Sequence, residues 1–131
     1  MSTMQGRKIY EGNVTGEVLA TSQGLSFYGG VDPESGVVQE VGHELEGQSL
    51  AGKILVFPSG KGSTVGSYSM YWMKKEGKAP LAIVNRTIDT IIAVGCIISE
   101  IPCVDQIDIS QLKNGQKVTV NATEGTVTIV E

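Results

Sequence analysis

Chemistry in this sequence concentrates in Gly60-Lys61-Gly62-Ser63-Thr64-Val65-Gly66-Ser67. Glycines let a backbone approach a ligand closely, and a helix starting just after them offers N–H groups and the positive end of its dipole to an anion. Ser63 occupies the place expected of the helix N-cap. Its hydroxyl either caps an amide of Val65 or Gly66, or shares those amides with a serine alkoxide or an anionic substrate, because an unassisted hydroxyl is a poor base at neutral pH. Lys61 adds positive charge beside it, unless it is an ordinary solvated lysine. Lys61 and the backbone of Gly62 and Thr64 are thus the candidate substrate-binding groups around a candidate catalytic Ser63. The spacing is not G-x-x-x-x-G-K-[ST], which argues against an ATPase loop.

Few other residues compete for a chemical role. His43 is the only histidine, so multi-histidine metal sites are excluded and a Ser-His-Asp triad would depend on it alone. Its polar surroundings, Val41 to Gly47, predict a surface histidine. Asp32 follows two glycines and precedes Pro33, which reads as the opening of a turn. Cys96 and Cys103 are the only cysteines. A pair cannot supply the three or four ligands of a zinc or iron–sulfur site, so no metal is expected on this chain. They are expected to be small buried hydrophobes, with a disulfide as the alternative.

The elements that must hold the loop follow from local pattern. Lys53-Ile54-Leu55-Val56-Phe57 is a continuous apolar run ended by Pro58, as in a strand covered on both faces. A helix follows through Val65, Tyr68 and Tyr71/Trp72, ending near Gly77 and Pro80. Leu81-Ala82-Ile83-Val84 is the next buried strand, giving a strand, glycine-rich turn, helix and strand in order. Asp89 to Ser99 predicts a second buried helix capped by Asp89 or Thr87, with at most a short strand at Pro102-Cys103-Val104. Upstream, Lys8 to Thr21 is extended with a bend at its glycines, Leu25 to Tyr28 and Val37 to Val41 are strand candidates, and Gly29 to Gly36 is an exposed loop. The tail pairs Lys117–Val120 with Thr126–Val130 across a hairpin turn.

The whole is a mixed α/β chain with two main helices, and 131 residues suit a single domain without a cleft between domains of its own. A formal net charge of -4 without long runs of one sign disfavours nucleic acid and anionic membrane as partners. The longest apolar stretch, Ile91 to Ile98, is well under the roughly 20 residues that span a bilayer. The N-terminal residues lack the apolar core of a signal peptide, so the cytoplasm is expected.

Several segments, taken in order, resemble the small subunit of the aconitase X family: Gly29-Gly30-Val31-Asp32-Pro33, Leu50 to Pro58, Gly60 to Tyr68, Asp89 to Gly95, and Glu100-Ile101-Pro102. The resemblance implies a swivelling β/β/α domain over residues 1–131 with a mixed or barrel-like sheet. It also implies a large subunit that carries an iron–sulfur cluster, the two forming a heterodimer, with no cofactor on this chain. The archaeal two-subunit members dehydrate (R)-5-phosphomevalonate to trans-anhydromevalonate 5-phosphate in a modified mevalonate pathway, and Ser63 matches their proton acceptor. Aconitase-type swivel domains place an arginine soon after this serine, whereas Thr64-Val65-Gly66 follows here; Lys61 and the loop amides stand in for it. Three alternatives stay open: a hydroxyproline dehydratase of the same family, a non-catalytic swivel module, and a chain that cleaves itself at Gly62-Ser63.

Overall fold

The computed structural model describes residues 2–62 and 64–130. Its strands are β1 (Ser2–Gln5), β2 (Arg7–Tyr10), β3 (Asn13–Ala20), β4 (Ile54–Phe57), β5 (Ala82–Asn85), β6 (Cys103–Asp105), β7 (Lys117–Asn121) and β8 (Thr126–Ile129). Helices α1 (Gly66–Lys75) and α2 (Thr90–Ser99) follow β4 and β5. All eight strands form one sheet in the order β1-β8-β7-β3-β4-β5-β6-β2. Strands β3, β4, β5 and β6 run parallel, and the remaining pairings are antiparallel.

The two edges of that sheet, β1 and β2, are consecutive in the chain and separated only by Gly6. The sheet must therefore curl until its edges meet, giving the barrel-like closure expected of the β/β/α fold. Gly6 donates to the carbonyl of Gly125 at 2.7 Å. A Cβ there would lie 2.3 Å from the carbonyl oxygen of Asp105 and 2.7 Å from Ile107 Cδ1. Next to this seam, Arg7 grips the fully buried Asp105 with two hydrogen bonds of 2.9 Å, and Asp105 Oδ2 also accepts from the Ile88 amide. The carboxylate raises the Arg7 pKa through these bonds and through its charge. Gly6→Ala is expected to lower the melting temperature by several degrees, since overpacking against a fixed carbonyl costs about 1–3 kcal/mol. A thermal melt checks it, and an unchanged melting temperature would mean that the seam is loose.

The continuous apolar runs at β4 and β5 have a simple cause. On β4, Ile54 and Val56 point to a core inside the curled sheet with Val18, Val104, Val118 and Val127, while Leu55 and Phe57 point to a second core under the helices. β5 divides in the same way, Ala82 and Val84 inward and Ile83 outward. Alternate residues of a strand face opposite sides, so a strand buried on both has no polar positions. Met70 and Met73 of α1 and Ile92 and Cys96 of α2 close the outer core. Met70 Sδ lies only 2.2 Å from where a Cβ of Gly95 would stand, so the helices touch at that glycine.

Residues 21–50 depart from the strand expectations. Leu25 makes only an isolated bridge to Gly60, and Val37 and Val38 make single bridges to Ser49 and Val31. The apolar residues of this stretch still enter the outer core, with Leu25, Phe27, Val31, Val38, Leu45 and Leu50 buried there. Their alternation records burial beneath a looped segment rather than a ladder.

Candidate active site

β4 ends at Phe57, and the chain turns at Pro58, whose carbonyl accepts from the amides of Arg86 and Thr87 at 3.2 Å each. This places the loop beyond the carboxyl end of a parallel strand, where open α/β sheets bind ligands. Leu25 and the loop hold each other through two backbone bonds, Leu25 N–H to Ser59 at 3.3 Å and Lys61 N–H to Leu25 at 3.1 Å. Gly60 donates to Asp89 Oδ1 at 2.7 Å, and Asp89 Oδ2 accepts from Ile91 and Ile92 at the start of α2. One carboxylate thereby caps α2 and anchors the loop. A Cβ at Gly60 would meet Ile92 Cγ1 at 2.6 Å and Asp89 Oδ1 at 2.7 Å, so this contact requires glycine.

Past the anchor the loop opens to solvent. Lys61, Gly62 and Thr64 are exposed, and Lys61 Nζ pairs with Glu40 Oε2 at 2.9 Å. Gly62 has φ +95°, and a Cβ there would sit 2.5 Å from Ser26 Oγ. Lys61 and Gly62 border a hollow of about 320 Å³ together with Ser26, Tyr28, Gly29, Gly30 and Glu40. The candidate base Ser63 lies outside the described residues. Of the residues next to it in sequence, Gly62 borders that hollow and Thr64 is exposed.

α1 begins at Gly66 with Val65 in the cap position, and the expectation that the Ser63 hydroxyl caps an amide of Val65 or Gly66 lies outside the described residues. The first turn of α1 is tied to α2 by Ser67, whose hydroxyl donates to the Ile91 carbonyl at 2.6 Å. His43 is corrected, from a surface residue to a buried one. Its Nε2 is 3.0 Å from the Gly24 carbonyl and its Nδ1 accepts from the Leu45 amide at 3.0 Å. With Nδ1 accepting, Nε2 carries the proton, and both nitrogens are engaged in holding residues 21–50 rather than facing the hollow. Asp32 is the turn residue expected, accepting from Glu34 N–H and Ser35 Oγ. Cys96 and Cys103 are both free and buried, and the hydrogen bond between them together with burial pushes the Cys103 thiol well up. Among the described residues no group of three or more His, Cys, Asp or Glu could hold a metal ion. The donors present therefore do not fit an iron–sulfur cluster.

Sequence reasoning missed the residues that support the loop from a distance. Glu40, the partner of Lys61, stands in a segment with no motif. Asp89 was legible as a cap, but its second role depends on a contact 29 residues away. A larger hollow of about 470 Å³ lies at the carboxyl ends of β3, β4 and β5, lined among others by Thr21, Glu44, Pro58, Arg86 and Asp108. Glu44 is held below the usual carboxylate range by hydrogen bonds from the Thr21 hydroxyl and the Ser22 amide.

Residues 3–129 match the family model for the aconitase X swivel domain. The chain belongs to this family. Among curated aconitase X relatives, the phosphomevalonate dehydratase small subunit of Thermococcus kodakarensis is 56% identical over 128 residues, which is 98% of this chain and 96% of that protein. The protein of the same name from Methanosarcina acetivorans is 50% identical over 131 residues, covering 98% and 91% of the two chains. The crystal structure of Thermococcus kodakaraensis aconitase X in its holo form superposes with a TM-score of 0.99 at 54% identity over the full length of both chains. A UPF0107 protein solved by solution NMR gives a TM-score of 0.90 at 47% identity, over 99% of this chain and 100% of that one. The aconitase X fold thus agrees with the mixed sheet and paired helices described above. No helix among the described residues is long and apolar enough to cross a membrane.

Proposed function

We propose that this chain is the small subunit of a heterodimeric hydro-lyase that dehydrates (R)-5-phosphomevalonate to trans-anhydromevalonate 5-phosphate in the cytoplasm, as one swivel domain over its whole length. The observation that carries the reading is the exposed loop of Lys61, Gly62 and Thr64 at the end of β4, in a chain whose relatives are named phosphomevalonate dehydratase small subunits. Dehydration needs a base for a carbon-bound proton and an acid for the departing hydroxyl. Ser63 supplies the base on this reading, while Lys61 and the amides of Gly62 and Thr64 hold the anionic substrate. The acid side belongs to the large subunit, together with the iron–sulfur cluster this chain's described residues cannot hold. Lys61 then has two anionic partners to choose between. Glu40 holds its ammonium in place before substrate arrives, and a phosphate with its greater charge displaces Glu40.

The test is co-expression with the large subunit of the same organism and an assay of phosphomevalonate dehydration. Activity is expected from the complex and from neither chain alone. Lys61→Met is expected to raise KM about tenfold with a smaller change in kcat, the loss of one charge-assisted contact. Full activity of the isolated chain, or turnover of a hydroxyproline in place of phosphomevalonate, would overturn the reading.

A further inference from the structure

We infer that the outer face of the α1–α2 pair is the surface on which the large subunit docks, an inference that rests on the heteromeric reading above. Helix α2 is apolar nearly all round, which the sequence pattern suggests is a buried helix. Only one side is covered: Ile92, Gly95, Cys96 and Ser99 are buried, while Val94, Ile97 and Ile98 are 42%, 51% and 38% exposed. These three recur at i, i+3 and i+4 and so form a second face. On α1, Tyr68, Tyr71 and Trp72 repeat the same spacing with exposures of 70%, 41% and 49%.

The two faces lie side by side. Ser67 bonds to Ile91 and Met70 meets Gly95, so the helices run parallel with their first turns at the loop end. Between them is a groove of about 320 Å³ lined by Thr64, Ser67, Tyr68, Thr90, Ile91, Val94 and Ile98. Thr64 belongs both to this groove and to the substrate loop, so whatever covers the groove also reaches the loop. The aromatic side chains bury about 150–250 Å² each when fully covered, so at these exposures the three of α1 and the aliphatic face of α2 together present several hundred Å². That is a large part of the roughly 800 Å² that one side of a stable interface buries, and an apolar patch of this size on a monomer is commonly an interaction site.

The occupant is a larger chain with an apolar surface of its own. The relatives are named small subunits, which implies a larger partner. A site that needs an acid from that partner at the loop must have its contact surface beginning at the loop. Lys74 and Lys75 close the far end of α1, where a polar rim would stand.

The experiment is a binding titration of the purified large subunit with this chain, its Val94→Glu and Tyr68→Ser variants, and Val130→Glu just past the end of β8. Circular dichroism and thermal melts check folding of each. Val94→Glu is expected to weaken association at least 100-fold and Tyr68→Ser about tenfold, with Val130→Glu within twofold of the parent. Dehydration at saturating large subunit is expected to recover in Tyr68→Ser, as it would not if the residue acted in chemistry. Unchanged association of both helix variants in an active wild-type complex would overturn this inference and leave the proposed function standing. Self-association of the chain through this face without binding of the large subunit would overturn it in favour of a second copy. Failure of the wild-type pair both to associate and to dehydrate would instead remove the proposed function, and the inference with it.

Discussion

Ser63→Ala in the reconstituted complex is expected to lower kcat for dehydration by about 10²–10⁴-fold, the contribution of a positioned general base. KM is expected to change little, because Lys61 and the loop amides remain to hold the substrate. The melting temperature of the variant is expected to match the parent. The start of α1 is tied down by the Ser67 hydroxyl on the Ile91 carbonyl, a bond this substitution leaves in place. A serine with a merely capping role would show the reverse pattern, a lower melting temperature with kcat intact. Steady-state kinetics beside a thermal melt separate the two, and a kcat within threefold of wild type would remove Ser63 from the chemistry. The same preparation distinguishes the self-cleaving alternative, since cleavage at Gly62-Ser63 would split the intact mass of the wild type and spare the variant.

The residues around Ser63 were legible because their chemistry is local. A strand ended by proline, glycines that demand unusual backbone, and a helix start are all signals within a few residues of one another, and β4, α1, β5 and α2 emerged close to their observed bounds. Asp89 as a cap belongs to the same class. What failed was tertiary. The run Val37 to Val41 looks like a strand, yet Val37 and Val38 each make only one isolated bridge, to Ser49 and Val31, and the apolar pattern reflects which side chains enter the outer core. His43 stands among polar neighbours but folds inward because the Gly24 carbonyl and Leu45 amide are brought to it by chain reversal. β1 lay outside the first extended run because its partner, β8, is at the other end of the chain. Helix α2 shows a different limit. Its composition is apolar on both faces, and only the structure reveals that this chain buries one of them.

Asp89→Ala is expected to damage both stability and turnover, because three backbone donors lose their acceptor together. Ile91 and Ile92 at the start of α2 lose the cap, and Gly60 loses the bond of 2.7 Å that fixes the root of the substrate loop. A lost cap costs about 1 kcal/mol, and a half-buried amide left unsatisfied costs about 1–3 kcal/mol. A combined loss of about 2–4 kcal/mol lowers the melting temperature by roughly 10 °C or more for a domain of this size. Asp89 acts on catalysis through Gly60, three residues before Ser63, so it is a positioning residue. A loop displaced by about an ångström loses on the order of 10²-fold in rate. Measured well below the melting temperature, kcat for Asp89→Ala is expected to fall 10- to 100-fold while KM for phosphomevalonate moves much less. Asp89→Asn keeps one carbonyl oxygen, which can serve the loop or the helix but not both, so it should fall between wild type and alanine in each measurement. If Asp89→Ala lowers only the melting temperature and leaves kcat at wild type, the carboxylate is a helix cap alone, and the loop holds its shape through Leu25 and Pro58.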